Sequence, residues 1–380
     1  MIWLQLYLDF MVFVFGAVIG SFLNVCVHRM PLDQSIVTPP SHCPHCNQRI
    51  RWIDNIPLVS YLALGRKCRH CGAKISPRYF VVELLTAALF LMVWLKFTQW
   101  DSPPVHRIDF LVSPIYWLVI AGLIAATFID FEHYIIPNEI TLGGVIVGFV
   151  LSIAVPPLQH TYSHGLAAAR SLGGILTGGL VLLAIAEFGK LLFGRFRVSL
   201  PPGTTIIITD GKLKLPDEEI PLVDLFFRTS DKIRFKATVL KFGEKEFLDA
   251  AAIVRKDSIT INGDAYPLTT TDVIEATINE IILPREAMGL GDVKLLAGIG
   301  AFLGWQAAVF AIFASAAVGS LVSVPLIALG KKEFSSRIPY GPYIALGAII
   351  WIFAQTRLLA IIGMYQDNLR ELVRILFSRG

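Results

Sequence analysis

Two aspartates lie where apolar segments of the sequence meet polar ones. Asp130 closes the apolar run 110–129, and Asp292 opens another apolar run directly after Gly289 and Gly291. A charged side chain at the centre of a membrane helix costs about 2.5 to 3.5 kcal/mol, so such residues need a reason to be there. Two carboxylates held close share one proton: the ionised member activates water while the protonated member polarises a carbonyl. We therefore predict an aspartyl peptidase with Asp130 and Asp292 as its catalytic pair.

Other interpretations of these aspartates stay open at the level of sequence. Taken alone, each carboxylate could mark a membrane boundary, and carboxylates inside transporters relay protons. A transporter is disfavoured because Asp130 and Asp292 lie at one membrane face and the two halves of the chain contain no symmetric pair of interrupted helices. A membrane scaffold with structural aspartates is the alternative outside the enzyme class.

Several neighbouring residues are expected to shape the candidate site. Pro137 breaks the helix that ends before it, and Gly289 and Gly291 permit close helix approach, so all three are expected to support the catalytic motif. Lys294 is expected to reach the membrane interface or a lipid phosphate. Glu83, inside the second apolar run, is expected to be either functional or a buried, hydrogen-bonded structural residue.

Four cysteines form two C-x2-C pairs, Cys43 with Cys46 and Cys68 with Cys71, separated by 21 residues. Each pair can form a tight turn that aims two thiolates at one metal, and four thiolates form a closed tetrahedral site typical of structural zinc. The alternatives are two disulfides, which a cytoplasmic location disfavours, and four unligated thiols, which the paired spacing disfavours. Cys26, in an apolar run, is expected to be a packed small residue.

The composition indicates that a membrane surrounds most of these elements. The chain is 54% hydrophobic and 16% charged, with a mean hydropathy of +0.63, well above that of ordinary soluble domains. A spanning helix needs about 20 mostly apolar residues. We predict an all-α polytopic membrane protein with about eight spans, at 4–27, 80–98, 110–129, 139–157, 171–193, 293–303 with its flanks, 305–329 and 342–364.

Charge distribution orients these predicted spans. The loop between the first two spans is rich in Arg and Lys and contains few acidic residues, which places it in the cytoplasm by the positive-inside rule. Counting spans from this loop places both aspartates at the cytoplasmic face. We therefore expect a multi-pass protein of the bacterial cytoplasmic (inner) membrane with its active site facing the cytoplasm, and no nucleic-acid partner.

A polar stretch before Gly289 breaks the membrane pattern. Apolar and polar residues alternate with period two over 233–239, and Asp210-Gly211 and Asn262-Gly263 are turn signals. We predict a small β-rich cytoplasmic domain. The resulting division is a first helix at 1–27, a four-cysteine loop at 28–79, spans 2–5 at 80–193, the inserted domain at 194–287, the Gly-x-Gly-Asp motif with spans 6–8 at 288–364, and a tail at 365–380.

These motifs, in this order, resemble the prepilin peptidases, a family of intramembrane aspartyl peptidases with a Gly-x-Gly-Asp motif, also called type IV leader peptidases or prepilin N-methyltransferases. The resemblance covers nearly the whole membrane part of the chain. It is carried by residues 20–25 with Arg29, by residues 52–65, by both cysteine pairs, by Asp130 with Pro137 and Asn138, by residues 289–292 with residues 294–296, and by residues 338–343.

The resemblance implies a substrate and a second activity. The substrate would be the leader of type IV prepilins or type II secretion pseudopilins, cut at the cytoplasmic face before a long hydrophobic helix. Members with a cysteine loop often N-methylate the new terminus with S-adenosylmethionine, whose binding residues the sequence does not identify. A peptidase without methylase activity is the alternative. The insert 194–287 departs from the compact family pattern, and we expect it to recruit substrate, to dock pilus or secretion machinery, or only to cover surface.

Overall fold

The computed structural model describes residues 2–100, 109–216, 219–226, 231–269, 272–286, 288–329 and 339–377. The chain forms two compact units. One contains Met1–Leu183 and Leu290–Gly380, and the other contains Ala184–Gly289. The first unit is helical, and the second contains the end of a long helix followed by a β-sheet.

Apolar helices make up the first unit. A long apolar run forms a helix because a helix satisfies all backbone polar groups within the segment, as a membrane requires. Six helices among the described residues are long and apolar enough to cross a membrane. The helices are α1 (Ile2–Arg29), α2 (Val59–Ala63), α3 (Pro77–Leu95), α4 (Asp109–His133), α5 (Asn138–Ala154), α6 (His164–Phe193), α7 (Leu290–Ala328) and α8 (Gly341–Phe377).

The predicted count of about eight spans is not confirmed, for two physical reasons. α5 has only 17 residues, which makes it shorter than a typical spanning helix. The predicted runs 293–303 and 305–329 form parts of one element, α7, whose two helical segments meet at Gly304 with φ 82° and ψ 174°. A glycine adopts this backbone conformation without the strain that a side chain would cause.

Polar side chains stabilise the break in α7. The kink removes helical donors from nearby carbonyl groups, and buried carbonyls need partners. The Ala301 carbonyl accepts hydrogen bonds from Ser152 Oγ at 2.8 Å, Ser171 Oγ at 2.8 Å and Gln159 Nε2 at 2.9 Å. All three side chains are buried. The kink is therefore a built feature that joins three parts of the first unit.

Glycines allow the helices of this unit to approach closely, as is common between membrane helices. A Cβ atom on Gly20 of α1 would lie 2.6 Å from the Glu83 Cα of α3. A Cβ on Gly174 of α6 would lie 2.0 Å from the Gly300 carbonyl oxygen of α7, and the reverse contact would be 2.1 Å. These positions therefore exclude any side chain.

The second unit contains an eight-stranded antiparallel sheet with strand order β3-β2-β1-β8-β4-β5-β6-β7, which confirms the predicted β-rich domain. Asp210-Gly211 and Asn262-Gly263 have positive φ angles, as two-residue hairpin turns require. Alternate residues such as Ile206, Ile233 and Leu240 form its buried core. The strands are β1 (Arg195–Thr209), β2 (Lys212–Lys214), β3 (Glu219–Pro221), β4 (Ile233–Phe242), β5 (Lys245–Val254), β6 (Ser258–Ile261), β7 (Asp264–Pro267) and β8 (Ile274–Pro284).

Candidate aspartyl active site and four-cysteine cluster

The last turn of α4 presents Asp130, which is 6% exposed. Its Oδ2 atom accepts a hydrogen bond of 2.9 Å from the backbone N–H of Gly341, the first residue of α8. α4 ends at His133, and Tyr134 follows with a φ of 55° while its N–H donates to the Asp130 carbonyl. This turn leaves the Asp130 carboxylate oriented by a backbone donor from a distant part of the chain.

Pro137 stands at the N-terminal cap of α5, as its fixed backbone conformation favours. Its carbonyl accepts backbone hydrogen bonds from Ile140 and Thr141, which start the helix. The segment between α4 and α5 is thereby held in one conformation, with Ile136 immediately before the proline.

Asp292 lies in the first turn of α7 and is 8% exposed. A Cβ on the preceding Gly291 would lie 3.2 Å from Ile136 Cβ, while a Cβ on Gly341 would lie 3.0 Å from Ile136 Cδ1 and 2.8 Å from Asp130 Oδ2. The end of α4, the start of α7 and the start of α8 therefore converge around Ile136. Gly289 is exposed and precedes α7.

Tyr340 connects this convergence to Asp292. Burial, together with the negative charge of Asp292, raises the pKa of the Tyr340 hydroxyl, so the hydroxyl stays neutral and can donate. It lies 2.7 Å from Ser315 Oγ on α7. The residues at the start of α8 thus join both helices, since the Gly341 N–H binds Asp130 of α4 and the Tyr340 hydroxyl binds Ser315 of α7.

Lys294 bonds to a polar side chain of α5. Its Nζ atom donates a 2.9 Å hydrogen bond to Asn138 Oδ1 in the first turn of α5. Asn138 follows Pro137 in sequence, and Lys294 follows Asp292 by two residues. The bond therefore ties the helix that carries Asp292 to the segment that follows Asp130.

The four-cysteine cluster is assembled from two similar hairpin turns. In the first, the N–H of Asn47 donates to the Cys43 carbonyl; in the second, the N–H of Gly72 donates to the Cys68 carbonyl. Asn47 and Gly72 both have positive φ angles, 54° and 70°. The main chain therefore turns in the same way after each cysteine pair.

These turns bring the four cysteine sulfurs within 4.8 Å of one another. The Sγ atoms of Cys43 and Cys71 are 3.9 Å apart, which is close to the separation of two thiolates bound to one zinc ion at about 2.3 Å each. All four are free cysteines, as is the buried Cys26. The donor set and spacing fit a tetrahedral metal ion, so the cluster can hold a metal.

Glu83 has a structural partner. Its Oε2 atom accepts a 2.7 Å hydrogen bond from the backbone N–H of Leu58, in the loop between the cysteine pairs, and the residue is 8% exposed. It lines a cavity of about 720 Å³ between α1, α3 and this loop. Asn24, 1% exposed, also lines the cavity, and its Oδ1 atom has no hydrogen-bond partner among the described residues.

Two family models match this chain. Residues 14–97 match the model of the bacterial peptidase A24 N-terminal domain, and residues 117–197 and 265–324 match the model of the type IV leader peptidase family. Over 213 residues the chain is 33% identical to the prepilin leader peptidase/N-methyltransferase of Dichelobacter nodosus, covering 49% of this chain and 68% of that protein. The chain belongs to the type IV leader peptidase family.

Two further family members match to different extents. The Aeromonas hydrophila prepilin leader peptidase/N-methyltransferase is 28% identical over 375 residues, which is 91% of this chain and 92% of that protein. The Myxococcus xanthus protein of the same name is 43% identical over 140 residues, which is 37% of this chain and 39% of that protein. No solved structure gives a significant match.

The family-model matches cover most of the helical unit and leave out the middle of the sheet. Residues 198–264, which include most of the strands, lie between the two segments that match the type IV leader peptidase model. Gly341 and Tyr340 were not predicted as site residues, although the family resemblance of residues 339–343 was the signal that could have indicated them.

Proposed function

We propose that this protein is a membrane aspartyl endopeptidase that removes the leader of type IV prepilins or type II secretion pseudopilins at the cytoplasmic face of the bacterial inner membrane. The observation that carries the proposal is the convergence of two buried carboxylates, Asp130 and Asp292, with the Tyr340-Gly341 segment. The names of the relatives support the substrate class.

The two carboxylates divide the chemistry between them. The ionised carboxylate draws a proton from water, and the resulting nucleophile attacks the scissile carbonyl while the protonated carboxylic acid donates to its oxygen. The tetrahedral intermediate then breaks the C–N bond as the amine takes a proton. Gly341 orients Asp130 through its N–H, and the Tyr340 hydroxyl is held by Ser315 of α7, the helix whose first turn contains Asp292.

The test of the peptidase is leader removal by the purified full chain in vesicles, followed by mass spectrometry with a prepilin-like substrate. Asp130→Asn and Asp292→Asn keep side-chain shape and remove the ionisable group, so each is expected to lower cleavage at least about 10³-fold. Asp33→Asn is the matched control, because Asp33 is exposed and has a φ of 53° that asparagine tolerates. Cleavage at the parental rate by either active-site variant would overturn the catalytic assignment, and a folded parent that does not cleave would favour the scaffold.

A second activity, N-methylation of the new amino terminus, is supported by the relatives' names and by the cavity next to the cysteine loop. Small-molecule sites have volumes of about 300 to 1,000 Å³, and this cavity has about 720 Å³. The unpartnered Asn24 Oδ1 and the Glu83 carboxylate are acceptors for the ammonium group of S-adenosylmethionine. S-adenosylmethionine supplies an electrophilic methyl group. The deprotonated terminal amine forms the new N–C bond to this methyl group as the S–C bond breaks.

Glu83→Gln tests the methylation site, because glutamine keeps an oxygen for the Leu58 N–H and removes the charge. We expect the KM for S-adenosylmethionine to rise about tenfold while leader cleavage is unchanged. Asp130→Asn should still methylate a pre-cleaved product, which separates failure of this site from failure of the peptidase. Unchanged methylation by Glu83→Gln would exclude Glu83 from the S-adenosylmethionine site. Absence of methylation by the parent protein would show that the chain is a peptidase without methylase activity.

A further inference from the structure

The sheet is joined directly to the end of the long helix α6. Lys190 Nζ pairs with Asp231 Oδ1 at 2.7 Å, just before β4, and with Glu286, just after β8. The Gly194 carbonyl also accepts a hydrogen bond from the N–H of Arg285. All of these residues belong to one compact unit, Ala184–Gly289. The position of the sheet relative to the last turns of α6 is therefore set by ion pairs and backbone bonds.

Basic side chains lie together on the face of the sheet that is opposite its core. Ile233 and Phe235 of β4 are buried, so Arg234 and Lys232, which immediately precedes the strand, face the other way. Arg234 pairs in register with Ile282 of β8 and with Ile253 of β5. Arg195 begins β1 and Arg255 directly follows β5, and both are exposed.

These four residues, Arg195, Lys232, Arg234 and Arg255, are called the basic cluster below. The positive charge of Arg234, followed by burial and the charges of Arg255 and Arg195, lowers the pKa of Lys232. Within the described part of the chain, none of the four has a carboxylate at ion-pair distance. Arg197 on the same face differs because it pairs with Glu280 at 2.7 Å. The cluster is thus a concentration of uncompensated positive charge.

The basic cluster starts where the membrane segment ends. The candidate span His164–Leu192 finishes three residues before Arg195. Its last turns expose large apolar side chains, with Phe188 62%, Leu191 81% and Leu192 57% exposed, as lipid-facing residues of a spanning helix would be. A helix that leaves the membrane at this end would bring the basic cluster to the lipid headgroups. Cations at that depth are attracted to anionic lipids.

We propose that the basic cluster binds the phosphate groups of anionic phospholipids and holds the inserted sheet against the membrane surface. Charge complementarity supports this occupant, as does continuity with the exposed apolar end of α6. Arginine and lysine are the usual partners of phosphate oxygens. The proposal does not depend on either enzymatic activity. Three of the four cluster residues, Lys232, Arg234 and Arg255, lie in the region that the family model leaves out, residues 198–264.

The test measures lipid binding by the full chain in nanodiscs of phosphatidylcholine alone or mixed with phosphatidylglycerol. Native mass spectrometry counts the retained phosphatidylglycerol molecules, and hydrogen exchange reports protection of β4 and β5. The variant Arg195→Gln/Lys232→Gln/Arg234→Gln/Arg255→Gln should bind phosphatidylglycerol at least about tenfold more weakly than the parent. It should also lose the protection that phosphatidylglycerol gives to β4 and β5.

The matched control removes four positive charges elsewhere on the same sheet, with Lys212→Gln, Lys214→Gln, Lys241→Gln and Lys245→Gln. This control should retain parental lipid binding. Equal binding by the parent and the cluster variant would overturn the proposal. If inorganic phosphate binds the cluster as tightly as phosphatidylglycerol and displaces it, the lipid assignment is overturned in favour of a free anion. Protection by an acidic peptide but not by phosphatidylglycerol would overturn it in favour of a protein partner.

Discussion

The aspartate site and the cysteine cluster are assembled in opposite ways. All four cysteines lie within residues 43–71, and two hairpin turns with short backbone hydrogen bonds bring their sulfurs together. The aspartate site takes Asp130 from the end of α4, Asp292 from the start of α7 and Gly341 from the start of α8. The cysteine cluster therefore depends on local turn conformation, whereas the positions of the two carboxylates depend on how distant helices pack.

The strongest test of this comparison is a substitution at the backbone donor to Asp130. In Gly341→Ala the new Cβ would lie 2.8 Å from Asp130 Oδ2, so the carboxylate must leave its hydrogen bond. Since a displacement of about 1 Å can cost about 100-fold in rate, we expect cleavage to fall about 100-fold without loss of the metal bound by the cysteines. The measurement is leader removal beside metal content. Gly143→Ala, where a Cβ meets nothing within 4 Å, is the control, and parental cleavage by Gly341→Ala would refute the role of this donor.

Helix packing can be disturbed farther from the carboxylates. In Gly174→Ala the Cβ would lie 2.0 Å from the Gly300 carbonyl oxygen, which is backbone and cannot move aside without moving α7. We expect a loss of about 1 to 3 kcal/mol of stability and about tenfold slower cleavage, measured by thermal unfolding in detergent and by leader removal. Gly173→Ala has open space around its Cβ and should behave as the parent. Equal stability of the two variants would show that this crossing is looser than its geometry indicates.

A smaller effect is expected at the bond between α7 and α5. Lys294→Met keeps an apolar stem and removes the donor to Asn138 Oδ1. Because a hydrogen bond from a charged group contributes about 1.5 to 3 kcal/mol, and this one is partly exposed, cleavage should fall about three- to tenfold. Lys294→Arg restores a donor and should recover part of the rate. If arginine gives no recovery, the bond does not position Asp292.

The smallest effect on cleavage is expected at the cysteine cluster. Cys43→Ser should lose bound metal and make residues 28–79 more sensitive to protease, because a structural metal contributes folding free energy directly. Cleavage should stay within about twofold of the parent, since the peptidase mechanism assigns no role to the cysteines. Metal analysis and limited proteolysis provide the measurements, with Cys26→Ala as the control. A large loss of cleavage would show that the cysteine cluster and the aspartate site are coupled, and that they do not depend on separate parts of the fold.

Much of both sites could be predicted because their signals are local. The C-x2-C spacing identified all four members of the cluster, and the turns at Asp210-Gly211 and Asn262-Gly263 indicated hairpins from residue type alone. The assignments of Asp130 and Asp292 as catalytic residues and of zinc as the metal stay predictions. The number of spans was not confirmed, because α5 has only 17 residues and the runs 293–303 and 305–329 fall within one candidate span that bends at Gly304.

The partners of these residues were decided by the tertiary structure. Hydropathy and residue type determined that the chain is a membrane protein with aspartates at helix ends, four paired cysteines and an inserted sheet. Only packing decided that Gly341 donates to Asp130, that Lys294 bonds to Asn138 and that Ala301 accepts from three side chains. The physical reason is that a local sequence pattern sets the conformation of a turn, whereas a contact between distant helices depends on the shapes of all the surfaces between them.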